Sequence, residues 1–200
     1  MRTRYLLLLL AATTTPARAQ EFDCRATSSL PASVRPFVER GSCAIALERA
    51  DLNRDGSTDY LLVLERQKGA AHPDTEGRLR SLVVLAASPD GLRVAARNET
   101  VVLCSRCGGV WGDPLEGIEA RAGGFTISHY AGSAWRWRLD FTFAYSRRDR
   151  AWQLVRIYEV SYHTGDPDGT MKTRVSRPPR DFGKVDLRTF NANQWMERER

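Results

Sequence analysis

The run Trp135-Arg136-Trp137-Arg138-Leu139-Asp140-Phe141-Thr142-Phe143-Ala144-Tyr145 alternates apolar and polar residues almost without a break. In an extended chain Trp135, Trp137, Leu139, Phe141, Phe143 and Tyr145 fall on one face. Arg136, Arg138, Asp140 and Thr142 fall on the other. A period of two is the mark of a strand in a sheet with one buried face. Upstream, Phe125-Thr126-Ile127-Ser128-His129 repeats the pattern. Downstream, Ser146-Arg147-Arg148-Asp149-Arg150 turns the chain, and residues 152–162 return as a further strand. Three neighbouring antiparallel strands define a meander.

Before this block the pattern is also β. Tyr60-Leu61-Leu62-Val63-Leu64 is a continuous apolar run, which suits a strand buried on both faces. Residues 43–47 form another strand candidate. Residues 79–87 and 92–97 read as a hairpin across Ser88-Pro89-Asp90-Gly91, a strong turn signal. Residues 30–40 are expected to form a short helix that starts at Pro31, presents Val34, Phe37 and Val38 on one face, and stops at Gly41. Residues 67–78 and 163–180 read as exposed loops, and Phe182, Val185, Leu187, Phe190 and Trp195 as apolar anchors near the end. The fold expected is mostly β (α+β): a single antiparallel β domain, meander or sandwich-like, with one short N-terminal helix. The pattern leaves open whether the apolar faces meet within one sheet or between two.

The first residues have a different character. Met1 to Arg4 is short and basic, Leu6 to Leu10 is an unbroken leucine run, and Ala17-Arg18-Ala19 is an A-x-A cleavage site. These are the three parts of a secretory signal peptide, expected over residues 1–19. The apolar run is far shorter than the roughly 20 residues of a transmembrane helix. Residues 20–200 suit one secreted β-rich domain with a core of its own. The leader carries Arg2, Arg4 and Arg18 and no acid, so it accounts for half of the formal net charge of +6. The remaining basic residues are interspersed with acids, which argues against a nucleic-acid partner. No second apolar stretch is long enough to span a membrane.

The four cysteines are Cys24, Cys43, Cys104 and Cys107. An even count in an oxidising compartment points to disulfides, and closeness in sequence favours Cys24–Cys43 and Cys104–Cys107. A zinc site would want a second C-x-x-C. A redox C-x-x-C opens a helix, whereas Cys107 runs into Gly108-Gly109.

Chemistry concentrates in Asp51-Leu52-Asn53-Arg54-Asp55-Gly56-Ser57-Thr58-Asp59, a D-x-N-x-D-G-x-x-D loop. Calcium takes several hard oxygen ligands from a compact loop. The side chains of Asp51, Asn53 and Asp55 converge at alternate positions, and Gly56 permits the sharp turn. The Ser57 carbonyl and the Asp59 carboxylate complete the candidate shell. Leu62 stands where an EF-hand places its bidentate glutamate, and strand rather than helix follows. The loop resembles the calcium loops of FG-GAP and VCBS repeats, but a single copy excludes a propeller of about four blades or more. The bland alternative is a turn whose Asp and Asn side chains bond their own backbone.

Taken in order, the D-L-N-x-D-G loop, Cys104-Ser105-Arg106-Cys107-Gly108-Gly109-Val110-Trp111-Gly112-Asp113-Pro114 and His129-Tyr130-Ala131-Gly132-Ser133-Ala134-Trp135-Arg136-Trp137 resemble an uncharacterised family of small secreted bacterial proteins. The resemblance covers nearly the whole chain after the leader. It implies a bacterial source and export, to the periplasm, and it supplies no substrate.

Candidate binding-surface residues are Asp113, Glu116, His129, Arg136 and Arg138. Asp113 and Glu116 form a carboxylate pair of the kind glycosidases use, although Asp113 before Pro114 also suits a turn. His129 and Ser133 lack a nucleophile elbow, and His129 shares a face with Phe125 and Ile127. Trp135 and Trp137 are expected in the core, leaving Arg136 and Arg138 outward. The function expected is a non-enzymatic exported binding or interaction protein, with calcium as the cofactor of the loop and another secreted or envelope protein as partner. The alternative is a cell-envelope hydrolase using residues 104–133.

Overall fold

The computed structural model describes residues 23–67 and 77–198. The leader expected over residues 1–19 and most of the loop at 67–78 lie outside them. The chain forms two antiparallel meanders in sequence order. The first sheet holds β1 (Ser42–Ala50), β2 (Asp59–Arg66), β3 (Arg80–Ser88) and β4 (Gly91–Asn98). The second holds β5 (Leu115–Arg121), β6 (Gly124–Gly132), β7 (Trp135–Ser146), β8 (Ala151–His163) and β9 (Lys172–Ser176). The two sheets share one core, so the sandwich-like arrangement is the one adopted. Leu61, Val63, Leu82 and Val84 of the first sheet meet Phe125, Ile127, Leu139, Phe141 and Phe143 of the second.

The continuous apolar run in β2 has a clear cause. Leu61 and Val63 face the shared core, while Leu62 and Leu64 face outward into a second cluster with Leu30, Val34, Val83 and Leu85. The N-terminal segment therefore lies over the outer face of the first sheet. The Cys24–Cys43 disulfide and the bond from the Arg25 amide to the Ala44 carbonyl fasten it to β1. This segment is not the expected helix. It makes two short 3-10 turns, Thr27–Ser29 and Arg35–Phe37. Pro31 and Pro36 remove two backbone donors within six residues, which prevents a regular helical ladder. The apolar face was nevertheless placed correctly, since Val34 is buried and Phe37 and Val38 pack beside it.

Two strands run where no strand was expected. β5 occupies part of the Gly-rich stretch after Cys107, and β9 crosses residues 163–180, preceded by the one-turn helix α1 (Pro167–Thr170). Each is an edge strand of the second sheet. Near the end of the chain, α2 (Ala192–Arg198) and the turn before it supply Leu187, Phe190, Ala192 and Trp195 to the core. Asn98 of β4 holds this segment, donating to the Leu187 and Phe190 carbonyls.

The second sheet has two unlike ends. At one, the turns β5–β6 and β7–β8 meet residues 51–59. At the other, Gly132 closes β6, Trp135 opens β7, His163 closes β8, and Met171 directly precedes β9. Among the described residues, no helix is long and apolar enough to cross a membrane.

Candidate functional site

The loop at 51–59 joins β1 to β2 and is held by its own carboxylates. Asp51 accepts from the amides of Asp55 and Gly56, each at 3.0 Å. Asn53 Oδ1 also accepts from the Asp55 amide at 2.9 Å, and Asp55 Oδ1 accepts from the Ser57 amide at 2.8 Å. The bonds from Asn53 and Ser57 hold the Asp55 carboxyl below its ordinary pKa. Arg54 sits at φ 60°, where the chain turns back over these groups.

Asp59 does something else. It is fully buried and bridges two segments, with Oδ2 accepting from the Leu52 amide and Oδ1 from the Ala87 amide of β3, both at 2.9 Å. Burial pushes its carboxyl up, and the two amides pull it back. The side-chain oxygens of Asp51, Asn53 and Asp55 are thus bonded within the loop itself. Asp59 closes the loop onto β3. Among the described residues, no three His, Cys, Asp or Glu side chains are grouped as metal ligands.

The loop is also the joint between the sheets. The Gly123 amide donates to the Asp51 carbonyl at 2.8 Å, Arg147 to the Arg54 carbonyl at 3.0 Å, and Trp152 Nε1 to the Leu52 carbonyl at 3.0 Å. Gly123 belongs to the β5–β6 turn at φ 81°, and a side chain there would collide with the Arg54 guanidinium. The left-handed conformation calls for glycine.

Residues 104–114 cross the molecule between the sheets. The Cys104–Cys107 disulfide closes a tight turn at their start. Asp113 is drawn inward to Arg80, whose guanidinium grips both Asp113 oxygens and also Glu65. Arg80 and Glu65 are almost wholly buried. Burial works against the Arg80 charge, and the bonds and charges of Asp113 and Glu65 outweigh it, raising its pKa. Glu65 also pairs with Arg78 at 2.6 Å.

His129 lies next to this network with no exposure at all. Its Nε2 accepts from the Leu103 amide at 3.3 Å, and its ring packs edge-on to Phe141. Burial, and then the positive charge of Arg80, pull its pKa down to about 3. The imidazole is thus neutral and sealed from solvent at ordinary pH.

Of the five surface candidates, the structure gathers three. Glu116, Arg138 and Arg136 share the outer face of the second sheet. Arg138 bonds Glu116 at 2.7 Å and also contacts Asp140. Asp113 and His129 belong to the interior instead, because Arg80 needs a second carboxylate and Leu103 an acceptor. Around Arg136 stands an aromatic group that its neighbours in sequence did not announce. Arg136 lies 4.5 Å over the Trp111 ring, and Trp111 meets Tyr130 edge-on. Tyr130 and Tyr162 hydroxyls bond at 2.7 Å, and burial followed by this bond pushes Tyr130 up to about 12.

Trp135 overturns its expected place in the core. It keeps the alternation of β7 but stands beyond the last buried row, 53% exposed, edge-on to His163. Val110 (85%) and Met171 (54%) are the other exposed large apolar side chains at this end, and only Val94 lies elsewhere among the described residues. Trp137 is half-buried against the core.

No family model matches the chain, and neither a curated protein nor a solved structure is similar to it.

Proposed function

We propose that this chain is an exported, non-enzymatic binding protein of the periplasm whose partner is another secreted or envelope protein. The observation that carries this reading is the free end of the second sheet. Val110, Trp135 and Met171 are exposed at that end, and Trp111, Arg136 and the Arg138–Glu116 ion pair lie on the outer face that leads to it. Tryptophan, tyrosine, methionine and arginine are the residues enriched in protein interfaces, and ion pairs suit their wet rims. The leader pattern and the two disulfides favour an oxidising compartment outside the cytoplasm.

The hydrolase alternative loses support from the geometry. His129 is wholly buried, and both Asp113 oxygens are taken by Arg80. In this reading the loop at 51–59 is a structural calcium loop held by Asp51, Asn53, Asp55 and the Ser57 carbonyl. Bound calcium would neutralise its clustered carboxylates and stiffen the joint between the sheets.

The test is competitive capture. Full-length protein, exported and immobilised, is challenged with periplasmic extract of its source. A partner that is displaced by added wild-type protein but not by the Trp135→Ala/Arg136→Glu variant supports the reading. A partner displaced equally by both, or none, contradicts it.

A further inference from the structure

Beside the free end, the inner side of the second sheet opens into a cleft of about 700 Å³. Residues of β7, β8 and β9 line it, together with Cys107 and Met196 of α2. Trp137, Leu139, Met196 and Cys107 give it an apolar wall. Ser161, Glu159, Lys172 and Arg174 give it a polar rim. The register explains this separation: Trp137 pairs with Ser161 and Leu139 with Glu159, while Lys172 and Arg174 of β9 face the same two β8 residues. The volume falls in the range of small-molecule sites, which typically combine apolar walls with a few fixed polar groups.

The charges select the ligand. Glu159 is already engaged: Trp195 Nε1 donates to it at 3.1 Å, and Arg174 stands 4.0 Å away. Arg138 is balanced by Glu116 and Asp140. Lys172, exposed on the edge strand, has no acidic partner among the described residues. Among the described residues Lys172 is therefore the rim's positive charge without an acid beside it, above an indole and a methionine. We propose that the cleft binds a small amphipathic monoanion, an apolar body resting on Trp137, Leu139 and Met196 with its acid group at Lys172. This goes beyond the partner-binding reading and does not depend on it, since Trp135 and Arg136 take no part in the cleft.

The probe is 8-anilinonaphthalene-1-sulfonate, an apolar monoanion whose fluorescence reports burial, titrated into the full-length exported protein. Saturable binding of one probe per chain is expected. Decanoate and indole-3-acetate should both displace it if any apolar acid fits, or only one of them if the cleft selects a chain or a flat ring. Decylamine, of opposite charge, should not displace it. Lys172→Glu should weaken binding at least about tenfold. Ser161→Trp, which fills the cleft, should abolish it while near-ultraviolet circular dichroism stays native. Lys172 is exposed on an edge strand, so its variant decides the matter if Ser161→Trp misfolds. Equal displacement by decylamine, binding unchanged in Lys172→Glu, or no saturable binding would each overturn the proposal.

Discussion

Trp152 Nε1 donates a hydrogen bond to the Leu52 carbonyl at 3.0 Å, joining two residues a hundred positions apart. Leu52 is itself wholly buried in the shared core. The D-x-N-x-D-G loop is thus bolted to the second sheet from inside, whatever its side chains bind outside. Trp152→Phe keeps most of the ring but leaves a buried carbonyl without its donor. Urea unfolding should show a loss of about 1–3 kcal/mol, and an unchanged midpoint would deny the bond any weight.

Asp59 and Asp55 should part company on substitution. Asp59→Asn cannot accept from both Leu52 and Ala87, so it should destabilise by about 1–3 kcal/mol with or without calcium. Asp55→Ala should cost less in chelator. It should also abolish the rise in melting temperature that calcium gives the wild type by binding the native state. A wild-type protein whose melting is indifferent to millimolar calcium would remove the calcium role from the loop.

His129 sets the acid limit. Its pKa is about 3 in the fold, against an ordinary value of 6.5. The unfolded chain therefore takes up the proton first. The stability this confers is fully present above the unfolded value and is lost as pH falls toward the folded one. Between pH 7 and pH 5 the loss should be about 2 kcal/mol. Carboxylates held below their usual range, such as Glu39 and Asp186, add their losses only at lower pH. His129→Gln, which can still accept from Leu103, should flatten the curve in this window. A wild-type curve that is already flat there would contradict the burial.

The Glu65–Arg80–Asp113 triad should be costly to break and cheap to replace whole. Asp113→Ala leaves the buried Arg80 half-compensated and should cost about 3–5 kcal/mol. A triple replacement by apolar residues of similar volume should recover most of that. Additive losses in a mutant cycle would show that the three do not act as a unit.

Much of this was legible in the sequence, and the failures share a cause. β7 and β2 are central to their sheets, so neighbours on either side impose a full alternation or a full apolar run. β5 and β9 are edge strands that bury little, and Leu-Glu-Gly-Ile-Glu-Ala-Arg and Lys-Thr-Arg-Val-Ser carry almost no pattern. The N-terminal segment showed its buried face but not its backbone, because Pro36 vetoes the helix that the spacing suggests. At the site, alternation placed Arg136 and Arg138 outward. It could not tell that Trp135 outruns the core, since that depends on where the first sheet ends. Asp113 looked chemical because a polar residue in a loop carries no mark of what it will be buried against, whereas the inward face of His129 was legible from Phe125 and Ile127.

The most direct measurement is site-specific photo-cross-linking in the living cell. A photoreactive phenylalanine analogue is placed at Trp135, Met171 or, as control, Val94, which is equally exposed on the first sheet. The account predicts one discrete protein adduct from positions 135 and 171 and none from 94. No adduct at the free end, or the same adducts from all three positions, would contradict it.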